Sequence, residues 1–138
     1  MKILESIDFS HFKKLAAPVN DTLTNLAKEF GAKDFNVLTN WVQRLRDVRN
    51  RCAHHSRVWN AKLAAPSQIA RELSTQETHK YRPYLSICVM HKMIRSLDLH
   101  GIDLKSELLR LFNDSHAAQL YMADTGFPQG WEADPFWD

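Results

Sequence analysis

Glycine and proline are scarce in this chain, with four and five residues among 138. Together with few β-branched runs and apolar residues that recur at three and four, this scarcity points away from strands and toward an all-α fold. Cysteine is rarer still. Cys52 and Cys88 stand far apart in apolar helical contexts, which suits two buried free thiols in a reducing compartment better than a disulfide framework. No apolar run approaches the roughly 18 residues of a membrane span. Acidic residues interrupt the first eight positions before the apolar region of a secretory signal can form. These absences predict a soluble protein, with no membrane association and a cytoplasmic location. There is no internal repeat and no low-complexity stretch. What is present is 44% hydrophobic and 25% charged residues with a formal net charge of +2, which excludes a disordered or collagen-like chain. A chain near 150 residues buries roughly 68–70% of its unfolded surface, so residues 1–138 are expected to form one domain.

The apolar spacing predicts a first helix over residues 7–17, stopped by Pro18. Asn20 or Asp21 can cap a second, whose apolar face is Leu23, Leu26, Ala27 and Phe30 and whose exit is Gly31. Asp34 or Asn36 opens the longest pattern, with Val37, Leu38, Trp41, Val42, Leu45, Val48 and Cys52 at helical spacing, running to about His54. A connector follows over residues 56–66, then a short helix over 67–73. Pro83 suits the first turn of a helix through Leu97 that is apolar on most faces, closed by Gly101. Asp103 and Ser115 can cap two further helices, the last stopping at Gly126. The aromatic tail, residues 127–137, is expected to dock on the bundle, since two Trp and two Phe left in water would forgo a large apolar burial.

Charge is unevenly spread. Residues 41–60 hold Arg44, Arg46, Arg49, Arg51 and Arg57 against the single acid Asp47, so their local excess of four positive charges exceeds that of the whole chain. With His54 and His55 adjacent, an anionic ligand is implied, and nucleic-acid phosphate is the leading candidate; the bland alternative is a solvated basic helix face. Asn50 and His54 are four apart on one helical face, with Arg46 one turn upstream. That spacing lets the Asn50 amide orient the His54 imidazole. Arg49 and His54 are five apart, about 140° around a regular helix. They converge only if the arginine swings toward the histidine, if the helix loosens near His54, or if a second copy supplies the missing partner. A site shared between two subunits is favoured.

The string Arg49-Asn50-x-x-x-His54 resembles the Arg-x(4 to 6)-His motif of HEPN domains, helical modules of many prokaryotic ribonucleases and defence proteins. The longer run from Val48 to Asn60, with Trp41 ahead of it and Met122 to Trp131 at the end, looks like the Abi-like family of abortive-infection proteins. The resemblance covers essentially the whole chain and corresponds to the C-terminal half of the family's usual, longer members. It implies a HEPN-like bundle of about five to seven helices, and a homodimer that brings two motifs into a composite site. It further implies metal-independent endoribonuclease activity in phage defence or as a growth-arresting toxin, with an antitoxin or regulatory partner as a candidate.

RNA carries its own nucleophile, the 2′-OH. Cleavage needs a base for that proton, an acid for the 5′-oxygen and cationic donors for the phosphorane. His54, a residue type that titrates near neutrality, is the candidate base or acid. Arg49 would hold the phosphate through its planar fork of donors, and Asn50 would orient the histidine or contact the scissile phosphate. Arg46, His55 and Arg57 are candidates for gripping the RNA backbone. Trp59 or Asn60 is expected to anchor the connector, and Arg44 and Arg51 to be solvated or paired with acids. His79, His91, His100 and His116 lack the partner spacing of a zinc site; no glycine-rich phosphate loop, Gly-x-Ser-x-Gly elbow or His-Glu-x-x-His occurs. No metal and no cofactor is expected. The alternative to a nuclease is a non-catalytic RNA- or partner-binding module.

Overall fold

Five α-helices and a series of single 3-10 turns make up the residues described by the computed structural model, 17–74 and 80–138; no strand occurs among them. The helices are α1 (Ala17–Glu29), α2 (Phe35–Ala53), α3 (Pro83–Ser96), α4 (Leu104–Asp114) and α5 (His116–Leu120). The protein is an all-α bundle. The helix expected over residues 7–17 lies outside the described residues, apart from its last position. Pro18 does not act as a stop. It falls in the first turn of α1, where a missing N–H costs no intrahelical bond, and Asn20 and Asp21 are therefore inside the helix instead of capping it.

Helix ends follow local chemistry closely. After α1, the Ala32 N–H reaches back to Ala27 O and the Gly31 N–H to Lys28 O, each at 2.9 Å. This is a Schellman closure with Gly31 at φ +76°. A Cβ on Gly31 would run into Ser96 Oγ of α3, so the glycine also permits close packing. Asp34, not Asn36, caps α2, its Oδ1 accepting from Val37 N at 3.0 Å. Pro83 occupies the first turn of α3, as its ring geometry favours. The turn that ends α3 is made by Asp98, at φ +51°, with Leu99 N–H on Ile94 O and Asp98 N–H on Arg95 O; Gly101 lies further along the loop. Asp103 and Ser115 cap α4 and α5 through the N–H groups of Ser106 and Ala118.

Helix α2 packs against both α1 and α3. Its buried residues are Phe35, Val37, Leu38 and Trp41, all in the first two turns. Trp41 is almost wholly enclosed, and its Nε1–H donates to Ser67 O at 2.8 Å while Asn40 Oδ1 accepts from Ser67 N at 2.7 Å. These two bonds fix the connector's return over α2. In α3 the buried positions are concentrated in the N-terminal half, from Pro83 to His91. Among the residues placed on apolar faces above, Leu26 and Leu97 are exposed, and Cys52 is exposed as well. Cys52 lies in the last turn of α2, beyond the two turns whose side chains are buried.

The tail docks as expected. Phe127, Trp131 and Trp137 are buried with Tyr84, Phe112 and Val89. Their rings meet edge-on or tilted, Trp131 on Trp137 at 4.8 Å and Tyr84 on Phe127 at 4.6 Å between centroids, the geometries that aromatic quadrupoles prefer. Asp134 latches this tail. Its buried carboxylate accepts from Ser74 N at 2.8 Å and from Phe136 N at 3.0 Å.

Candidate functional site

The basic segment occupies the second half of α2 and the turn beyond it. Helix α2 ends at Ala53, His54 is the C-cap, and the chain turns through His55 at φ +51°. Ser56 N–H closes on Arg51 O at 2.8 Å and His55 N–H on Cys52 O at 3.1 Å. This is again a Schellman closure, here built on a histidine where glycine is usual. A left-handed conformation costs a non-glycine residue roughly 1–2 kcal/mol, though histidine is among the residue types enriched there.

The connector then folds back along α2. Trp59 Nε1–H donates to Tyr121 O at 2.9 Å, and Arg82 donates to Asn60 O. Both Trp59 and Asn60 therefore anchor the connector. Between connector and helix lies an open groove of about 400 Å³. Arg44, Asp47, Asn50, Arg51 and His54 of α2 form one side, and Ser56, Lys62, Leu63 and Ala64 the other.

The expected site residues separate across this geometry. Asn50 and His54 both line the groove, as their four-residue spacing requires. Their side chains are not linked in the way anticipated: the Asn50 amide oxygen accepts from Arg49 Nη1 at 3.0 Å, and Asn50 meets His54 through the backbone, His54 N–H to Asn50 O at 3.0 Å. Arg49 thus swings its guanidinium toward Asn50 at the groove edge. Arg46, His55 and Arg57 are exposed and are not part of the groove wall. In their place the groove gathers Arg44, Arg51 and Lys62. Arg44 and Arg51 are the two arginines expected to be solvated or paired with acids, and Arg44 does pair with Asp47. Their spacing from His54, ten and three residues, places them on its face, so the signal was available; Lys62 carried none, because only the folded connector brings it there.

Arg44 pairs with Asp47 at 3.6 Å with its side chain 20% exposed, and its Nε is buried without a hydrogen-bond partner. Elsewhere, burial pushes the thiol of Cys88 and the phenol of Tyr84 above their ordinary values. His91 is shifted down by burial and by nearby Arg95. Among the described residues no group of three or more His, Cys, Asp or Glu side chains is arranged to hold a metal ion. No helix among them is long and apolar enough to cross a membrane. His79 lies outside the described residues.

An all-α bundle with an exposed basic groove at the end of its longest helix defines the class. Within it, residues 1–60 match the family model described as Abi-like protein. That segment contains Arg46, Arg49, Asn50, His54, His55 and Arg57. The C-terminal run from Met122 to Trp131 lies outside it. No curated protein and no solved structure matches the chain.

Proposed function

We propose that this chain is a metal-independent endoribonuclease of the HEPN type. In this reading residues 1–138 form one domain that works as a homodimer in abortive infection or growth arrest, with an antitoxin or regulatory partner restraining it. One observation carries the reading. The segment matched to the Abi-like family ends in a solvent-open basic groove. Asn50 and His54 line that groove, and Arg49 is bonded to Asn50 at its edge.

The chemistry follows from these side chains. The RNA 2′-oxygen attacks the adjacent phosphorus, forming the P–O2′ bond while the P–O5′ bond breaks. His54 takes the 2′ proton or supplies one to the departing 5′-oxygen. The second copy of His54 in the dimer performs the complementary transfer. Arg49, with fixed donors on a planar fork, neutralises the equatorial phosphoryl oxygens as charge builds there. Asn50 holds that guanidinium in place and offers its remaining amide donors to the phosphate.

The deciding experiment is incubation of the purified chain with total RNA and EDTA. Cleavage that leaves 2′,3′-cyclic phosphate ends is expected, together with its loss in His54→Ala and retention of RNA binding by that variant. Undiminished cleavage by His54→Ala, or cleavage abolished by the chelator, overturns the mechanism. Mixing wild-type with His54→Ala chains tests the shared site. Verified heterodimers, which hold a single His54, are expected to be as inactive as the His54→Ala homodimer, and half of the wild-type rate would mean that each protomer is self-sufficient.

A further inference from the structure

The groove holds more positive charge than the proposed chemistry uses. Among the described residues, Arg44, Arg51 and Lys62 face it against the single carboxylate of Asp47, and none of the three is needed for proton transfer. On α2, residues 44, 47, 51 and 54 recur at helical spacing and form one stripe. The direction of Lys62 is set independently. Ala61 and Leu63 are buried on either side of it, the alternation of an extended segment, and Leu63 N–H is bonded to Tyr81 O at 2.9 Å. Connector packing therefore turns Lys62 outward, opposite the α2 stripe.

Arg44 is the most informative of the three. Most of its side chain is covered, yet its Nε has no acceptor, and its contact with Asp47 at 3.6 Å is longer than a hydrogen bond. The Nε is itself enclosed, so what Arg44 offers an anion that enters the groove is the terminal end of its guanidinium, which meets Asp47 only through this longer contact. Among the described residues the groove wall offers no aromatic ring apart from the His54 imidazole. The described wall therefore gives base stacking, the usual grip on single-stranded RNA, no platform.

From this arrangement we infer that the groove between α2 and the connector is a phosphate track for the RNA strand. Arg44, Arg51 and Lys62 are its phosphate contacts, and Asp47 is the intramolecular anion that RNA displaces from Arg44. The inference rests on RNA being the substrate. It adds that the strand is gripped through its backbone with little regard to base, and that Arg46 and Arg57 lie outside the grip.

The test uses the full chain carrying His54→Ala, so that RNA stays intact, and fluorescence anisotropy with a labelled single-stranded RNA of mixed sequence. Removing two phosphate contacts with Arg51→Gln plus Lys62→Gln should lower the salt slope of log affinity by about 1.4, at roughly 0.7 per contact for a single strand. Asp47→Asn should tighten binding, which loss of a merely structural ion pair would not do. Arg110→Gln on α4, a charge change remote from the groove, should leave the slope as it is. Thermal melts of each variant establish that it is folded. An unchanged slope in the double variant, or no tightening in Asp47→Asn, overturns the track.

The outcomes separate the two readings. If the parent chain with His54 intact cleaves RNA, and the two substitutions at Arg51 and Lys62 change neither its cleavage nor the salt slope of binding measured with His54→Ala, the track falls and the nuclease stands. If the parent chain binds RNA through these residues without cleaving it, the track stands and the nuclease falls. If an acidic peptide binds and RNA does not, both fall.

Discussion

At the scale of single residues, His55 is the position where local cost and local chemistry meet. It takes the left-handed conformation that closes α2, a place where glycine carries no Cβ penalty. His55→Gly is therefore expected to raise stability in urea unfolding by about 0.5–1 kcal/mol, the Cβ strain relieved less the entropy glycine loses on folding. A loss of stability would show that the imidazole makes a contact that outweighs the strain. The two cysteines differ in a way their similar sequence contexts hid. Cys52 is exposed, whereas Cys88 is buried in the core with its thiol pushed up by desolvation. Titration with a thiol reagent should find one reactive cysteine in the native protein and two after denaturation. Cys52→Ser should remove the native one.

At the scale of elements, α2 does two jobs along one axis. Its first half is an anchor, with Phe35, Val37, Leu38 and Trp41 buried, and its second half is the basic arm, half-buried at Arg44 and Arg51 and exposed at Arg46 and Arg49. Asp34→Ala removes the bond to Val37 N and is expected to cost about 1 kcal/mol, a usual value for a lost N-cap. Because the groove begins at Arg44, nearly three turns further on, RNA binding by this variant should be unchanged at temperatures where it is folded. Helix starts were legible where a capping residue acts over three or four positions. Asp34, Pro83, Asp103 and Ser115 do what their residue types predict, whereas Asn20 and Asp21 lie inside α1 because Pro18 is tolerated in its first turn. The end of α3 was misassigned to Gly101 for a related reason: Asp98 adopts the same backbone conformation, and a local rule that prefers glycine overlooks it.

At the scale of the whole molecule, the aromatic tail is tied to α3 and to the turn at Ser74. His91 sits in this junction, 4.6 Å from the Trp137 ring and 5.6 Å from Phe136, with Nε2 buried and unpartnered. Burial, then Arg95, lowers its pKa from the ordinary 6.5, with Lys105 adding and Phe136 and Asp103 opposing. The folded state thus binds this proton less readily than the unfolded chain. Stability from His91 is full above the unfolded value and is lost as pH falls below about 6.5 toward the lowered folded value. Unfolding midpoints should fall across that window, with the acid limb flattened in His91→Gln whatever that variant's absolute stability. An identical limb in the variant would assign it to other groups. Asp103 and Asp138 are held below 3.8, chiefly by hydrogen bonds from Ser106 and Lys105. Their contribution is lost only as pH falls below that value, so the two windows are distinct.

The helical class, the capping by Asp103 and Ser115, the docking of the tail and the placement of the basic segment at the end of α2 were determined by the sequence alone. Each depends on periodicity, on a residue's effect within a turn, or on the cost of leaving aromatic surface in water. Which cations share a groove was decided only by the tertiary structure. Lys62 reaches the α2 stripe because Trp59, Asn60 and Leu63 tie the connector to Tyr121, Arg82 and Tyr81, partners 18 to 62 positions away. The amide of Asn50 turned to Arg49 instead of His54 because a long, flexible guanidinium can reach it. Contacts of that kind are set by side-chain reach and chain return, and neither is written in the spacing of residues along one helix.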